Sequence, residues 1–286
     1  MARTPEGPPP PPVVQRLRVR YAKRGRLRFT SHRDFQRAFE RALRRAGVPV
    51  AFSAGFSPHP KISYAGAAPT GVASEAEYLE IGLAQACPPG AVRDALDASL
   101  PAGLDVLEVV EARSGGLAER LEASRWRVEV PGLEPAAARA AVAAFLARDE
   151  VVVERLTKDG RRSFDARGPV LAMAVLDEVL DGVPDGVPDD PGSGAGPAAP
   201  EDSGPGGEPR AILDLVVRHV TPAVRPDDVL TAVRRVADQM PPSTAARVTR
   251  LAQGPLDDGG RIADPLAADR SAVGAPDSVV GARPAG

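Results

Sequence analysis

The sequence predicts an α+β protein built as two tandem ferredoxin-like units with antiparallel sheets, plus disordered tails and a disordered insertion. Three observations carry this. A series of strand, helix, strand, strand, helix, strand occurs twice along the chain. The 31 prolines and 28 glycines of the 286 residues are clustered rather than spread. The clusters hold almost no large apolar groups, so they cannot offset the entropy of ordering.

Residues 1–14 contain the run Pro8 to Pro12, which favours an extended polyproline conformation, and form a disordered tail. The first unit is predicted over 15–115. RLRVRYAK (16–23) alternates as a strand, and LRF (27–29) continues or pairs with it across Arg24-Gly25. Ser31 to Ala46 is helical. VAFS (50–53), ISYA (62–65) and EYLEIGL (77–83) read as strands, Pro89 to Leu100 as a helix and LDVLEVVE (104–111) as a strand. The second unit is predicted over 122–253, with strands at 126–130, 151–156, 171–179, 212–220 and 246–252 and helices at Pro135–Ala147 and Pro226–Gln239. Residues 181–209, acidic and rich in Gly and Pro, interrupt it as a disordered insertion. Residues 254–286 are small and polar, and read as a disordered tail.

Cys87 is the only cysteine, which excludes a disulfide framework, a multi-cysteine zinc site and a self-contained iron–sulfur cluster. No apolar run reaches the ~18 residues of a membrane span, so a cytoplasmic protein with no membrane partner is expected. No cofactor or metal is expected either: the three histidines lack ligand spacing, and no phosphate-loop or dinucleotide fingerprint occurs. The formal net charge is only −2, yet Arg16 to Lys61 carries thirteen Lys or Arg against Asp34 and Glu40. That asymmetry points to a polyanion or an acidic partner.

In SHRDFQRAFERALRRAG (31–47), Ser31 and Asp34 have capping-box spacing, and Gly47 and Pro49 supply a stop. Phe35, Ala38, Phe39, Ala42, Leu43 and Ala46 form one apolar stripe. Arg33, Arg37, Arg41, Arg44 and Arg45 lie opposite. Glu40 is the one acidic neighbour along that side, so like charges repel. A face carrying that cost reads as a phosphate-binding surface, against the plainer reading of a solvated helix face.

In GFSPHPKISYA (55–65), Pro58 and Pro60 fix the backbone on both sides of His59. Phe56 and Tyr64 offer aromatic faces for a base, and Lys61 offers charge. Three readings stay open for His59: a bystander in a rigid turn, a nucleotide contact, or a catalyst paired with His32 as acid and base on an RNA 2′-hydroxyl. A second basic patch, Lys158, Arg161 and Arg162, surrounds a predicted hairpin turn at Asp159-Gly160.

The run RLRFTSHRDFQRAFERALRRAGVPVAFSAGFSPHPKISYAGAAPTGVASEAEYLEIGL resembles the bacterial radical SAM-linked protein family, a domain of unknown function that stands alone or is fused behind a radical SAM enzyme. The similarity is specific over 16–111 and looser to about 253. It rests on Ser31, His32, Asp34, Arg41, Arg45, Pro49, Gly55, Phe56, Pro58 to Ile62, Gly71, Ser74, Glu77 and Tyr78, among others. The sequence departs from the pattern at Pro69-Thr70 and in the insertion. The resemblance implies a radical SAM protein as partner and, through the genes expected nearby, a place in RNA metabolism. With one cysteine the chain cannot hold the three-cysteine cluster itself. The leading expectation is a non-catalytic RNA-binding or substrate-recognition module in tRNA or rRNA maturation. The alternatives are a metal-independent endoribonuclease or RNA-modifying subunit using His32 and His59, and a protein adaptor docking a radical SAM enzyme.

Overall fold

Strand alternation decides which side of the molecule each residue occupies. The computed structural model describes residues 10–113, 115–158, 160–176, 209–237 and 246–270. In β1 (Gln15–Lys23), Leu17, Val19 and Tyr21 enter an apolar core, while Arg16, Arg18 and Arg20 point to the other side. The elements that follow are α1 (His32–Arg45), β2 (Ile62–Ala65), β3 (Ala73–Leu83), α2 (Pro89–Asp97) and β4 (Val106–Glu111). Then come β5 (Ala123–Pro131), α3 (Pro135–Leu146), β6 (Val152–Thr157), β7 (Gly160–Asp165), β8 (Val170–Leu176), β9 (Arg210–Arg218), α4 (Pro226–Val236), β10 (Arg247–Gly254) and the single turn α5 (Ala267–Arg270).

The fold is α+β, with eight strands among the described residues in one mixed sheet ordered β4-β1-β3-β10-β5-β9-β8, and β2 paired to β3. Every neighbouring pair is antiparallel except β3 and β10, which run parallel through Thr249↔Ala73 and Arg250↔Ser74. The path β4-β1-β3-β2 in the first half recurs as β10-β5-β9-β8 in the second. The expectation of separate antiparallel sheets is therefore corrected. The long β3 lends one edge to β2 at its C-terminal end and to β10 at its N-terminal end, which fuses the halves.

Four helices pack on one side of this sheet. Phe35, Phe39, Ala42 and Leu43 of α1 join Leu17, Val19, Leu79 and Ile81 in the first core, which also takes Val92 and Leu96 of α2. Ala138, Val142 and Phe145 of α3 and Val229, Leu230 and Val233 of α4 join Trp126, Val128 and Leu213 in the second. Complete burial of a side chain such as Phe39 contributes about 1.5–3 kcal/mol.

Several expectations change. Leu27 to Phe29 is not a strand but part of a 3-10 helix, Gly25–Phe29. Residues 50–53 make only isolated bridges, Val50↔Leu83 and Phe52↔Pro60. Residues 151–156 do not enter the main sheet, because β6 pairs with β7 as a separate two-stranded sheet. Its Val153, with Phe164 of β7 and the following Ala166, packs on the second core.

The other side of the first half is also covered. Pro255 to Arg270, expected in the disordered tail, crosses it instead. Leu266 joins Leu117 and Leu121 over Ala65, Ala76 and Tyr78. Asp269 accepts from Arg18 at 2.7 Å and from Arg120 at 2.7 Å. Two anchors hold a segment whose average composition gave no sign of order. Nearly all of the predicted insertion, and residues 271–286, lie outside the described residues.

Candidate nucleic-acid interface

The arginine helix forms where its sequence pattern places it. Ser31 is the N-cap: its Oγ accepts from the Asp34 N–H at 3.2 Å, and its hydroxyl donates to Asp34 Oδ2 at 2.7 Å. Arg33, Arg37, Arg41, Arg44 and Arg45 all face solvent. From Arg33 to Arg45 the row extends for about 18 Å at 1.5 Å per residue. Arg37 meets Asp34 only at 3.9 Å and Arg44 meets Glu40 at 3.7 Å. Among the described residues, Arg33, Arg41 and Arg45 have no carboxylate within ion-pairing distance. Exposed i, i+4 pairs of this kind are worth only a few tenths of a kcal/mol, so the row keeps most of its field.

The 3-10 helix just before it adds groups that sequence reasoning missed. Arg26 is exposed, and the Arg28 guanidinium lies over the exposed Phe29 ring at 4.9 Å. The reading of this stretch as a strand hid them. The Gly25 turn, at φ +51°, was the available signal.

The Phe52–Pro60 loop is a closed finger. Its base is held by the Phe52↔Pro60 bridge, a Ser53 N–H to His59 C=O bond of 2.8 Å and a His59 N–H to Ser53 Oγ bond of 3.0 Å. Phe56 stands at its tip, 73% exposed, with Phe52 also exposed.

The predicted loop residues are not brought to one surface. Alternation in β2 sends Ile62 and Tyr64 to the helix side and Lys61, Ser63 and Ala65 to the other. Tyr64 is half-buried, edge-on to Phe35 at 6.0 Å and to His32 at 5.0 Å. Burial pushes its phenol well up, and the Glu40 carboxylate adds to this. Tyr64 is thus a packing residue and not an open platform for a base. His32 is also 3.1 Å from Gln36. His59 instead lines a cavity with Arg16, Lys61 and Ser63. The two histidines, read as an acid–base pair, occupy different settings on the two sides of β2.

Lys158, Arg161 and Arg162 are exposed on the β6–β7 hairpin, with Arg161 3.4 Å from Glu154. The hairpin lies on the helix side of the second half, where Arg155 binds Asp228 of α4 at 2.7 Å and covers the Phe164 ring.

Other cations of the basic segment are spent inside the protein. Arg18 bonds Glu80 and Asp269. Lys23 is buried, donates to the carbonyls of Ala68 and Pro69, and is pushed down in pKa by burial. At the seam between the halves Arg250 pairs with Glu77, bonds Ser74 at 3.3 Å and Gln253 at 3.1 Å, and stacks over Trp126 at 5.1 Å. Burial alone would raise the Glu77 pKa; Arg250, the Ser74 hydroxyl and the Ala68 N–H together outweigh it and hold the carboxyl below its ordinary value.

Residues 16–226 match the family described as an uncharacterized protein conserved in bacteria, DUF2344. The chain belongs to that family. The curated proteins contain no match to it. The matched DUF2344 region holds α1, the finger and the hairpin, but stops short of β10 and of the covering segment. Among the described residues of this DUF2344 chain, no group of His, Cys, Asp and Glu is placed to hold a metal ion. No helix there is long and apolar enough to cross a membrane.

Proposed function

We propose that the protein is an RNA-binding module, not itself a catalyst, that presents tRNA or rRNA for maturation. The row of arginines along α1, largely unmatched by carboxylates, carries this reading. An exposed stripe of one sign about 18 Å long suits successive phosphates of a strand. Phe56 on its rigid finger and Phe29 beside Arg28 supply exposed rings for unpaired bases. The strand paths β4-β1-β3-β2 and β10-β5-β9-β8 favour a description as two ferredoxin-like units. The similarity to radical SAM-linked proteins adds an enzyme of that class as the partner that acts on the bound RNA. With Cys87 alone, this chain relies on that partner for the cluster.

Fluorescence anisotropy of labelled tRNA and rRNA fragments across a salt series tests the reading. Each phosphate contact contributes a slope of about −0.7 in log K against log salt for a single strand. Arg37→Glu with Arg41→Glu should flatten the slope by about 1.4 or more and weaken binding at least tenfold. Absence of binding at low salt would end the RNA reading and send the search to protein partners.

A further inference from the structure

The sheet side opposite α1 holds two adjoining cavities, of about 420 and 290 Å³, that share Arg16, Ser63 and Glu80 in their walls. The smaller lies against the base of the finger, where Ser53, His59 and Lys61 complete it. The larger is lined by Ala112, Arg113 and residues 115–119, Glu119 among them. Strand register explains the arrangement. Arg18, Glu80 and Ser63 are paired across β1, β3 and β2, and Arg16 and Lys61 flank Gly82 in the next row.

The charges in this groove are unequal. Glu80 is already matched by Arg16 at 3.0 Å and Arg18 at 3.2 Å. Lys61 and the Arg113 guanidinium have no carboxylate within ion-pairing distance among the described residues, and the His59 ring has no hydrogen-bond partner there. Arg16 keeps nitrogens free beyond the one that meets Glu80. Ser53 and Ser63 line the smaller cavity as neutral hydrogen-bonding groups.

We infer that this groove is a second binding site, independent of α1, for a nucleoside phosphate whose phosphoryl group sits between Arg16 and Lys61. His59 and Ser63 complete the cradle. The choice of a nucleoside phosphate over another phosphate ester rests on the RNA-binding reading. The same chemistry is offered by a free mononucleotide and by the phosphorylated end of an RNA strand.

Isothermal titration of the full chain with AMP, adenosine, inorganic phosphate, and one short RNA carrying either a 5′-phosphate or a 5′-hydroxyl tests it. Saturable binding of AMP, with adenosine at least tenfold weaker, is expected. Lys61→Ala should weaken AMP about tenfold, the scale of one charge-assisted contact, while Arg37→Glu with Arg41→Glu leaves AMP unchanged. Preference for the 5′-phosphorylated strand over both AMP and the 5′-hydroxyl strand identifies a strand end as the source; equal or tighter AMP binding identifies a free nucleotide. No saturation by AMP or the phosphorylated strand at millimolar concentration overturns the site, as does AMP binding insensitive to Lys61→Ala, or lost in the α1 variant. If RNA fails to engage α1 while AMP still binds, the RNA reading falls and the groove stands.

Discussion

The arginines of α1 and the arginines of the strands come from one basic tract but belong to two different kinds of structure. Among the described residues, Arg33, Arg41 and Arg45 project into solvent without carboxylates in ion-pairing reach, whereas Arg18 is 1% exposed and bound to Glu80 and Asp269. Arg250, outside the tract, repeats the buried pattern with Glu77. The difference teaches that charge imbalance along a sequence overstates charge imbalance in space. The acids that neutralise β1 are supplied from positions 62 to 251 residues away. Of the thirteen cations between Arg16 and Lys61, those on α1 keep their field because a helix surface offers partners only three and four residues away, and there the acids are few.

Breaking the buried set should cost most. Glu77→Ala leaves Arg250 and Lys23 without their buried carboxylate, and a loss of about 3–5 kcal/mol is expected from urea unfolding. Acid gives a graded version of the same test. Burial alone would raise Asp269, yet its bonds from Arg120, the Arg113 N–H and Arg18 hold it below the ordinary carboxylate value, as Arg250, Ser74 and the Ala68 N–H together do for Glu77. A carboxyl with a folded-state pKa below its unfolded one stabilises fully above the unfolded value, about 4, and loses that contribution as pH falls through the folded value. The urea midpoint should therefore hold from pH 7 to 5 and decline below about pH 4, less steeply in Glu77→Ala. The exposed set should behave oppositely. Arg37→Glu with Arg41→Glu should change stability by no more than about 0.5 kcal/mol, with helical circular dichroism retained. A large loss there would make α1 a structural element and remove the contrast.

The helix carrying the proposed interface was legible because its signals are local. Ser31 with Asp34, the Phe35–Phe39–Leu43 stripe and the Gly47 stop all lie within one segment, and the observed helix is His32–Arg45. The β6–β7 hairpin was legible from its turn. What escaped is non-local. Whether VVVERL joins the main sheet depends on β9 and β10 having already taken the places beside β5. The order of Pro255 to Arg270 depends on Leu266 and Asp269 finding Leu117 and Arg18, which no composition window registers. Lys61 and Tyr64 read as neighbours on one loop, yet the two-residue period of β2 puts them on opposite sides.

The parallel pairing of β3 with β10 also has a consequence for synthesis. As the chain leaves the ribosome, the first half emerges while the strand that will seal its β3 edge is still untranslated, and Arg18 waits for Asp269 across 251 positions. Loops of that length close slowly, and an unsealed strand edge can pair with another chain. The nascent first half is therefore the stage most exposed to aggregation and most in need of chaperone protection, and chains truncated before β10 inherit that exposure permanently.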